Sequence, residues 1–353
     1  MPASPPDSPS GALLEEEREH PGMVTGDAGL LPVAAVEADT SGRRKGLGIG
    51  AWLAIGWLAL IVFAAVFAPL LPVGDRDTSI VLHRPCPKVE GFNGTLREKC
   101  DIARQGPFAD EGTARGYLLG GDGNGRSMLA RLVYGARTSL LVATGAVFFG
   151  FVIGGSLGML AGYFGGRADT VLTGFFNVLL SIPAIVLALA LVAFLQQPGG
   201  QSGGSGSALP PELILIIAIG IVAIPLLGRI TRASALSWSQ REFVLAARAQ
   251  GAKSFRIMVR EVLPNVLPAM FSIALLGIAV AIVAEGTLSI LGVGVKPPTP
   301  SWGNIIAVDR DLLLGGAPHV VLEPALLIFL TVLALNFLGD VVRARFDVRE
   351  AGI

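Results

Sequence analysis

The sequence predicts an all-α membrane protein with six transmembrane helices. Hydrophobic residues make up 52% of the chain and charged residues 15%, with a mean hydropathy of +0.64, which is far too apolar for a soluble globular domain. Each of six apolar runs comes near the ~20 residues that a bilayer requires. With ends good to a few residues, these runs lie at about 47–71, 137–162, 168–195, 211–234, 265–291 and 321–342.

The basic residues beside these runs predict the orientation. Residues 1–42 are rich in Pro, Ser, Gly and Glu and predict a disordered cytoplasmic tail, without the pattern of a cleaved signal peptide. Arg43, Arg44 and Lys45 open the N-terminal transmembrane segment, 43–72, and place the N-terminus in the cytoplasm. Six spans return the tail 347–353 to the same side. We therefore expect a multi-pass protein of the cell (cytoplasmic) membrane.

The first loop, 73–136, is then extracytoplasmic. It is long enough for its arginines to escape the positive-inside rule. Its two cysteines, Cys86 and Cys100, are in a compartment that allows a disulfide, although two reduced thiols remain the alternative. Neither cysteine belongs to a Cys/His cluster with metal-site spacing, and the net charge of zero gives no reason to expect a nucleic-acid partner.

The end of this loop, Gly120–Leu140, changes from Gly-rich to amphipathic. The helical spacing of its apolar residues predicts a helix lying at the membrane interface before the second span. The Asp-Gly-Asn-Gly run that begins at Asp122 could be mistaken for a calcium loop, but the later acidic ligands are missing.

Residues 137–346 predict a five-helix core. Glycines in the second span form small-xxx-small pairs that allow close helix approach, and Pro183 predicts a kink in the third span. Glu285 is an ionisable residue in the fifth span, near its outer end, where water could reach it. It either forms a helix-to-helix hydrogen bond or takes part in a gate or substrate pathway, for which Asn177 and Pro183 are the other candidates.

A polar, basic stretch, 239–264, interrupts the apolar core. Helix-forming residues around Ala246 precede Gly251, which can turn the chain through positive φ, and a second helical piece follows before Pro264. We call this helix–Gly–helix stretch the elbow. Its basic residues predict a cytoplasmic position, and its shape is typical of a docking element rather than a reaction centre.

The elbow resembles the EAA loop of importer permeases of the ATP-binding-cassette (ABC) class. The pattern E-A-A-x-x-x-G is matched by Ala246, Ala247 and Gly251, with Leu245 in place of the Glu and Glu242 one turn earlier. Two further stretches, 120–140 and 288–304 (LSILGVGVKPPTPSWGN), are similar to segments of dipeptide and oligopeptide permeases, and the second is the most specific match. Trp302, near the end of the second stretch, is suited to the membrane interface, and Asp309 after it is expected in a solvated outer loop. An ordinary loop of an unrelated transporter remains the alternative for the elbow taken alone.

The resemblance covers about residues 43–349 and implies the second (C-type) transmembrane subunit of a peptide/nickel ABC importer, with the type I ABC importer permease fold. It also implies a homologous second permease, two ATPase subunits that bind ATP and Mg²⁺, and an extracytoplasmic substrate-binding protein. The chain itself has no Walker motif, so we expect neither a cofactor nor catalysis in it. Contact with the ATPase would fall on the elbow residues Glu242, Leu245, Ala246, Ala247, Arg248, Gly251 and Lys253.

Alternatives differ in substrate and in class. Nickel-chelate and glutathione importers share this permease type. A stand-alone secondary transporter would need paired ionisable groups or inverted repeats of broken helices, and Glu285 is alone. An intramembrane enzyme would need a nucleophile with a partner base, and Ser139, Ser156 and Ser181 have no His or Asp at helical spacing.

Overall fold

The computed structural model describes residues 48–73, 88–90, 96–98, 118–196 and 209–347. The described part is mainly helical, as predicted. Its helices are α1 (Ile49–Val66), α2 (Met128–Phe164), α3 (Gly166–Ser181), α4 (Ala184–Leu195), α5 (Pro211–Ser239), α6 (Glu242–Ala249), α7 (Ser254–Ile257), α8 (Leu263–Ile290), α9 (Trp302–Asp309) and α10 (His319–Asp347). A π-helical turn, Met258–Val262, joins α7 to α8, and a 3₁₀ turn, Arg310–Leu313, follows α9.

Five described helical segments are long and apolar enough to cross a membrane, and α3 with α4 forms a sixth candidate that is bent by 89°. The bend confirms the kink predicted at Pro183 and is close to a right angle. Proline has no backbone N–H and disfavours helical dihedrals in the residue before it. Accordingly, Ile182 is extended, with φ −90° and ψ 130°, and the chain starts a new helix at Ala184.

The glycines of α2 allow close approach to α5. A Cβ atom at Gly154 would collide with the carbonyl oxygen of Ile224, and one at Gly158 with that of Gly228. Gly228 in turn leaves room for the ring of Phe176 from α3. The small-residue pattern therefore brings α2 against α5, with α3 packed on the other side of Gly228.

Two clusters of buried apolar side chains form the core. The larger one joins α1, α2, α4, α5, α8, α9 and α10, with Val142, Ile214 and Ile282 among its members. The smaller one packs Met159 and Val266 against Val244 of α6 and Ile257 of α7. This second cluster fixes the position of the elbow.

The structure corrects the predicted interfacial helix. The amphipathic segment from Met128 onward is the first part of α2, which continues without a break to Phe164. Its 37 residues span about 55 Å at about 1.5 Å per residue. Met128 and Leu132 are buried in the protein core, so their spacing reflects packing against the protein.

Two short strands lie within the loop 73–136. β1 (Lys88–Glu90) pairs with β2 (Leu96–Glu98) in antiparallel orientation, with Val89 opposite Arg97. Cys86, Cys100 and the tail 1–42 lie outside the described residues, so the predicted disulfide and tail remain predictions.

Candidate coupling loop and intramembrane polar sites

The elbow has the predicted helix–Gly–helix form. α6 ends at Ala249, and Gly251 has φ +80°, a conformation that is strained for residues with a Cβ atom. The backbone N–H of Gly251 donates to the carbonyl of Arg248, and that of Ala252 to the carbonyl of Ala247. These bonds satisfy carbonyl groups at the end of α6 and reverse the chain into α7.

Aromatic rings at the ends of α2 and α5 contact basic side chains of the elbow. The guanidinium of Arg248 lies 5.6 Å from the ring centroid of Tyr163, at the end of α2. The guanidinium of Arg241 lies 5.2 Å from the ring centroid of Trp238, in the last turn of α5. Each contact is a cation–π interaction that holds a basic side chain against its own subunit. The elbow therefore contacts the ends of both α2 and α5.

Most of the predicted contact residues are accessible. Glu242, Ala246, Gly251 and Lys253 are exposed, and Ala247 is half-buried. The apolar side chains of Leu245 and Phe255 are 53% and 70% exposed, which is typical of a surface that another protein covers. Their assignment to an ATPase contact remains a prediction.

The apolar helix α8 begins at Leu263, at the end of the elbow. The chain is helical from Ser254 to Ile290, with the π-helical turn immediately before α8. Pro264 occupies the first turn of α8, where its missing N–H costs least. The elbow is thus joined to α8 without a flexible connection.

Glu285 is buried, with 1% of its surface exposed, so the expectation that water reaches it is wrong. Its carboxylate accepts three hydroxyl hydrogen bonds, from Ser139 of α2 at 3.1 Å, Ser289 of α8 at 2.9 Å and Ser301 at 2.8 Å. We call these four side chains the polar centre. Of the two roles that the sequence left open, the contacts match the helix-to-helix hydrogen bond.

The N-terminus of α9 completes the polar centre. Ser301 is the N-cap of α9, and its hydroxyl oxygen accepts the N–H of Asn304. The N–H of Trp302 donates to the hydroxyl oxygen of Ser139 at 3.1 Å. Since a helix N-terminus carries partial positive charge, α9 stabilises the nearby carboxylate.

Trp302 was expected at the membrane interface but is fully buried, at 0% exposure. Its indole Nε1–H donates to the carbonyl of Leu132 at 3.0 Å. Gly135 makes room for the ring, because a Cβ atom there would lie 3.2 Å from Trp302 Cδ1. Trp302 therefore locks α9 against the first turns of α2.

Four charged residues form a buried ion cluster beside α9. Asp122 accepts from Arg126 Nε at 2.7 Å and lies 3.1 Å from Arg131 Nε. Asp309 was expected to be solvated but is buried at the end of α9. Burial raises the pKa of Asp309, and repulsion from Asp122 raises it further, whereas Arg131 and Arg126 lower it. No group of three or more metal-ligating side chains occurs within the described ranges.

The remaining pathway candidates lie near the bend of α3 and α4. Pro183 and Asn177 are exposed and lie about a hundred residues before Glu285 in the chain. Asn177 Oδ1 accepts from Arg229 Nη2 of α5 at 3.1 Å. Sequence reasoning missed Arg229, although a cation inside the fourth apolar run was a signal for it. It also missed the serine partners of Glu285, because only the fold brings Ser139 and Ser301 to that residue.

Comparisons with known proteins agree on one family. The profile of the family described as binding-protein-dependent transport system inner membrane component matches residues 154–351. The chain is 38% identical over 298 residues to the dipeptide transport system permease protein DppC of Alkalihalophilus pseudofirmus, covering 84% of this chain and 85% of that protein. It is 37% identical over 292 residues to the di/tripeptide transport system permease protein DppC of Pseudomonas aeruginosa, covering 82% and 85%.

Two further similarities extend this result. The glutathione transport system permease protein GsiD of Pectobacterium atrosepticum is 36% identical over 239 residues, covering 67% of this chain and 74% of that protein. A solved structure of the MetNI methionine ABC transporter in an inward-facing conformation matches with a TM-score of 0.50 and 24% identity, covering 62% of this chain and 97% of that chain. This structural likeness shows a shared fold, that of a type I ABC importer permease.

Proposed function

Because this chain belongs to the family of binding-protein-dependent transport system inner membrane components, as a permease subunit of an ABC importer, we propose that its substrates are di- and oligopeptides. The curated relatives named for dipeptides and di/tripeptides support this choice. A glutathione importer is the second candidate, because a similar relative carries that name.

The observation that carries the mechanism is the attachment of the elbow. An exposed loop with accessible apolar side chains is joined to α5 at one end and to α8 at the other, and Arg248 holds it against α2. In the proposed cycle, ATP binding closes two ATPase subunits, which pull on this loop. The attached helices then rotate as rigid bodies and change the side on which the pathway is open.

The elbow residues proposed for ATPase contact are the exposed Glu242, Leu245, Ala246, Arg248, Gly251 and Lys253 and the half-buried Ala247. ATP and Mg²⁺ are bound by the ATPase subunits. A homologous second permease completes the pathway, and a substrate-binding protein delivers the peptide from outside the cell. In this arrangement the elbow and both termini face the cytoplasm, and the polar centre lies toward the opposite side of the membrane.

A pull-down from gently solubilised membranes, followed by uptake assays, tests the proposal. We expect the tagged chain to recover a second permease and Walker-motif ATPases, and the assembled complex to import a radiolabelled dipeptide when ATP is supplied. Unlabelled glutathione distinguishes the two substrates, since it competes with the dipeptide if glutathione is the true substrate. A chain that purifies and transports alone would overturn the subunit assignment.

A further inference from the structure

Polar side chains of α3 and of the neighbouring α5 form a polar surface on the subunit. We call it the polar wall. Its members come from α3 and α5 and are Asp169, Thr170, Asn177, Ser181, Arg229 and Arg232. Polar and charged residues inside spans face a protein interior or a water-filled cavity, because exposure to lipid is costly.

The two arginines of the polar wall differ in their partners. Arg232 is paired with Asp169 of α3 by two hydrogen bonds, and Thr173 also donates to this carboxylate. Arg229, one turn away, has no carboxylate within ion-pair distance among the described residues. It donates a hydrogen bond to the neutral amide of Asn177. The wall thus presents one cation whose charge is not balanced locally.

Arg229 is set well inside its helix. It lies ten residues before the end of α5 at Ser239, or about 15 Å at about 1.5 Å per residue. Asn177 lies eleven residues after the start of α3 at Gly166. The two helices are held in register here because Phe176 fills the space over Gly228. The hydrogen bond to Asn177 therefore holds the guanidinium of Arg229 beside α3.

The bond to Asn177 orients Arg229 without neutralising it. One guanidinium nitrogen is used by the amide oxygen, and the exposed remainder of the planar fork can bind both oxygens of a carboxylate. On the basis of the peptide-import function proposed above, we propose that Arg229, oriented by Asn177, contacts the carboxylate group of the peptide as it crosses the membrane. Arg229 is then a binding residue and Asn177 a positioning residue.

A cysteine at Ser181 tests whether the wall is open to water and attracts anions. Ser181 is exposed on α3, one turn from Asn177. In the assembled transporter, S181C should prefer anionic sulfonatoethyl methanethiosulfonate over its cationic trimethylammonioethyl analogue several-fold, once each rate is divided by the rate of the same reagent with a free thiol in solution. Adding R229Q should remove this preference. Reaction is read at the introduced cysteine by peptide mass spectrometry, so Cys86 and Cys100 do not contribute.

Two results of this assay would overturn the proposal. If S181C reacts with neither reagent in the assembled transporter, a partner protein or lipid covers the wall. If the anion preference persists in R229Q, the charge of Arg229 is not the cause of the preference. The control is R345Q, which removes the same charge from an exposed site in the last turn of α10 and should leave the preference intact.

Dipeptide uptake provides the second readout. We expect the transport rate to fall about tenfold in R229Q and less in R229K. Lysine keeps the positive charge but lacks the planar guanidinium group that can bind both oxygens of a carboxylate. Equal losses in R229K and R229Q, or unchanged uptake in R229Q, would contradict a carboxylate contact. If the unmodified transporter imports no peptide, the proposed function fails, whereas the cysteine assay still shows whether Arg229 selects anions.

Discussion

The polar centre around Glu285 and the elbow around Gly251 both interrupt apolar stretches, but they are built in opposite ways. In the polar centre, a buried carboxylate is satisfied by hydroxyls from three segments of the chain. In the elbow, a single glycine conformation reverses an exposed loop that is attached to its own subunit at a few points. The difference indicates that the polar centre holds helices in place, whereas the elbow is suited to move as a unit.

The largest effect on stability should come from Glu285→Ala. Three buried hydroxyl groups would lose their acceptor, and each unsatisfied group costs about 1–3 kcal/mol. We expect the thermal midpoint of the purified protein to fall sharply. Size-exclusion chromatography after heating measures this midpoint. Glu285→Gln keeps an acceptor oxygen, so its thermal midpoint should fall much less. Equal stability of E285A and the unmodified protein would break the comparison, because the polar centre would then not be holding the helices.

The elbow should respond in function rather than in stability. Proline cannot adopt the φ of +80° found at Gly251, so Gly251→Pro should reduce peptide uptake more than tenfold while ATPase activity and assembly persist. Gly251→Asn is the matched control, because Asn tolerates positive φ and no other atom lies within 4 Å of a Cβ atom there. Normal uptake in G251P would show that the elbow does not transmit the motion.

A smaller loss of stability is expected at Trp302. Trp302→Phe keeps a large ring but removes the hydrogen bond to the Leu132 carbonyl, at a cost of about 1–2 kcal/mol. Thermal unfolding in detergent measures this loss of stability. The control is Trp52→Phe, which alters a side chain that is 63% exposed on α1. If both variants lost the same amount, the bond would not contribute to locking α9.

The smallest effect is a change in pH dependence at Asp309. Its pKa is raised in the folded protein, so its contribution to stability is complete below the ordinary value of 3.8 and is lost as the pH rises through the folded pKa. The thermal midpoint of the unmodified protein should therefore fall, relative to that of Asp309→Asn, as the pH is raised above 3.8. A constant difference between the two midpoints at every pH would refute this account of the ion cluster.

Much of the architecture followed from local patterns in the sequence. Long apolar runs predicted the spans, since a bilayer selects for them over a distance of about 20 residues. Pro183 predicted the break between α3 and α4, and Gly251 predicted the turn of the elbow. Each of these features depends on the covalent properties of one residue or on a contiguous run, so it can be predicted without knowledge of the fold.

The sequence failed where a contact joins distant segments. It expected Trp302 at the interface, Glu285 in reach of water and Asp309 in a solvated loop, whereas all three are buried around α9. Their partners include Ser139 and Leu132, more than 100 residues away. A charged or aromatic residue near the end of a span can be packed inward or exposed, and its own neighbours in the chain do not decide between the two.

The sequence by itself therefore determined the membrane class, the number of apolar runs, the family resemblance and the position of the elbow, because each is encoded in contiguous residues. Only the tertiary structure decided which polar side chains are satisfied within the protein and which remain exposed. Glu285 accepts hydrogen bonds from three hydroxyl groups, whereas Arg229 donates one to a neutral amide. The reason is physical: hydrogen bonds between helices depend on how the helices cross, and the crossing is set by packing at glycines such as Gly158 and Gly228.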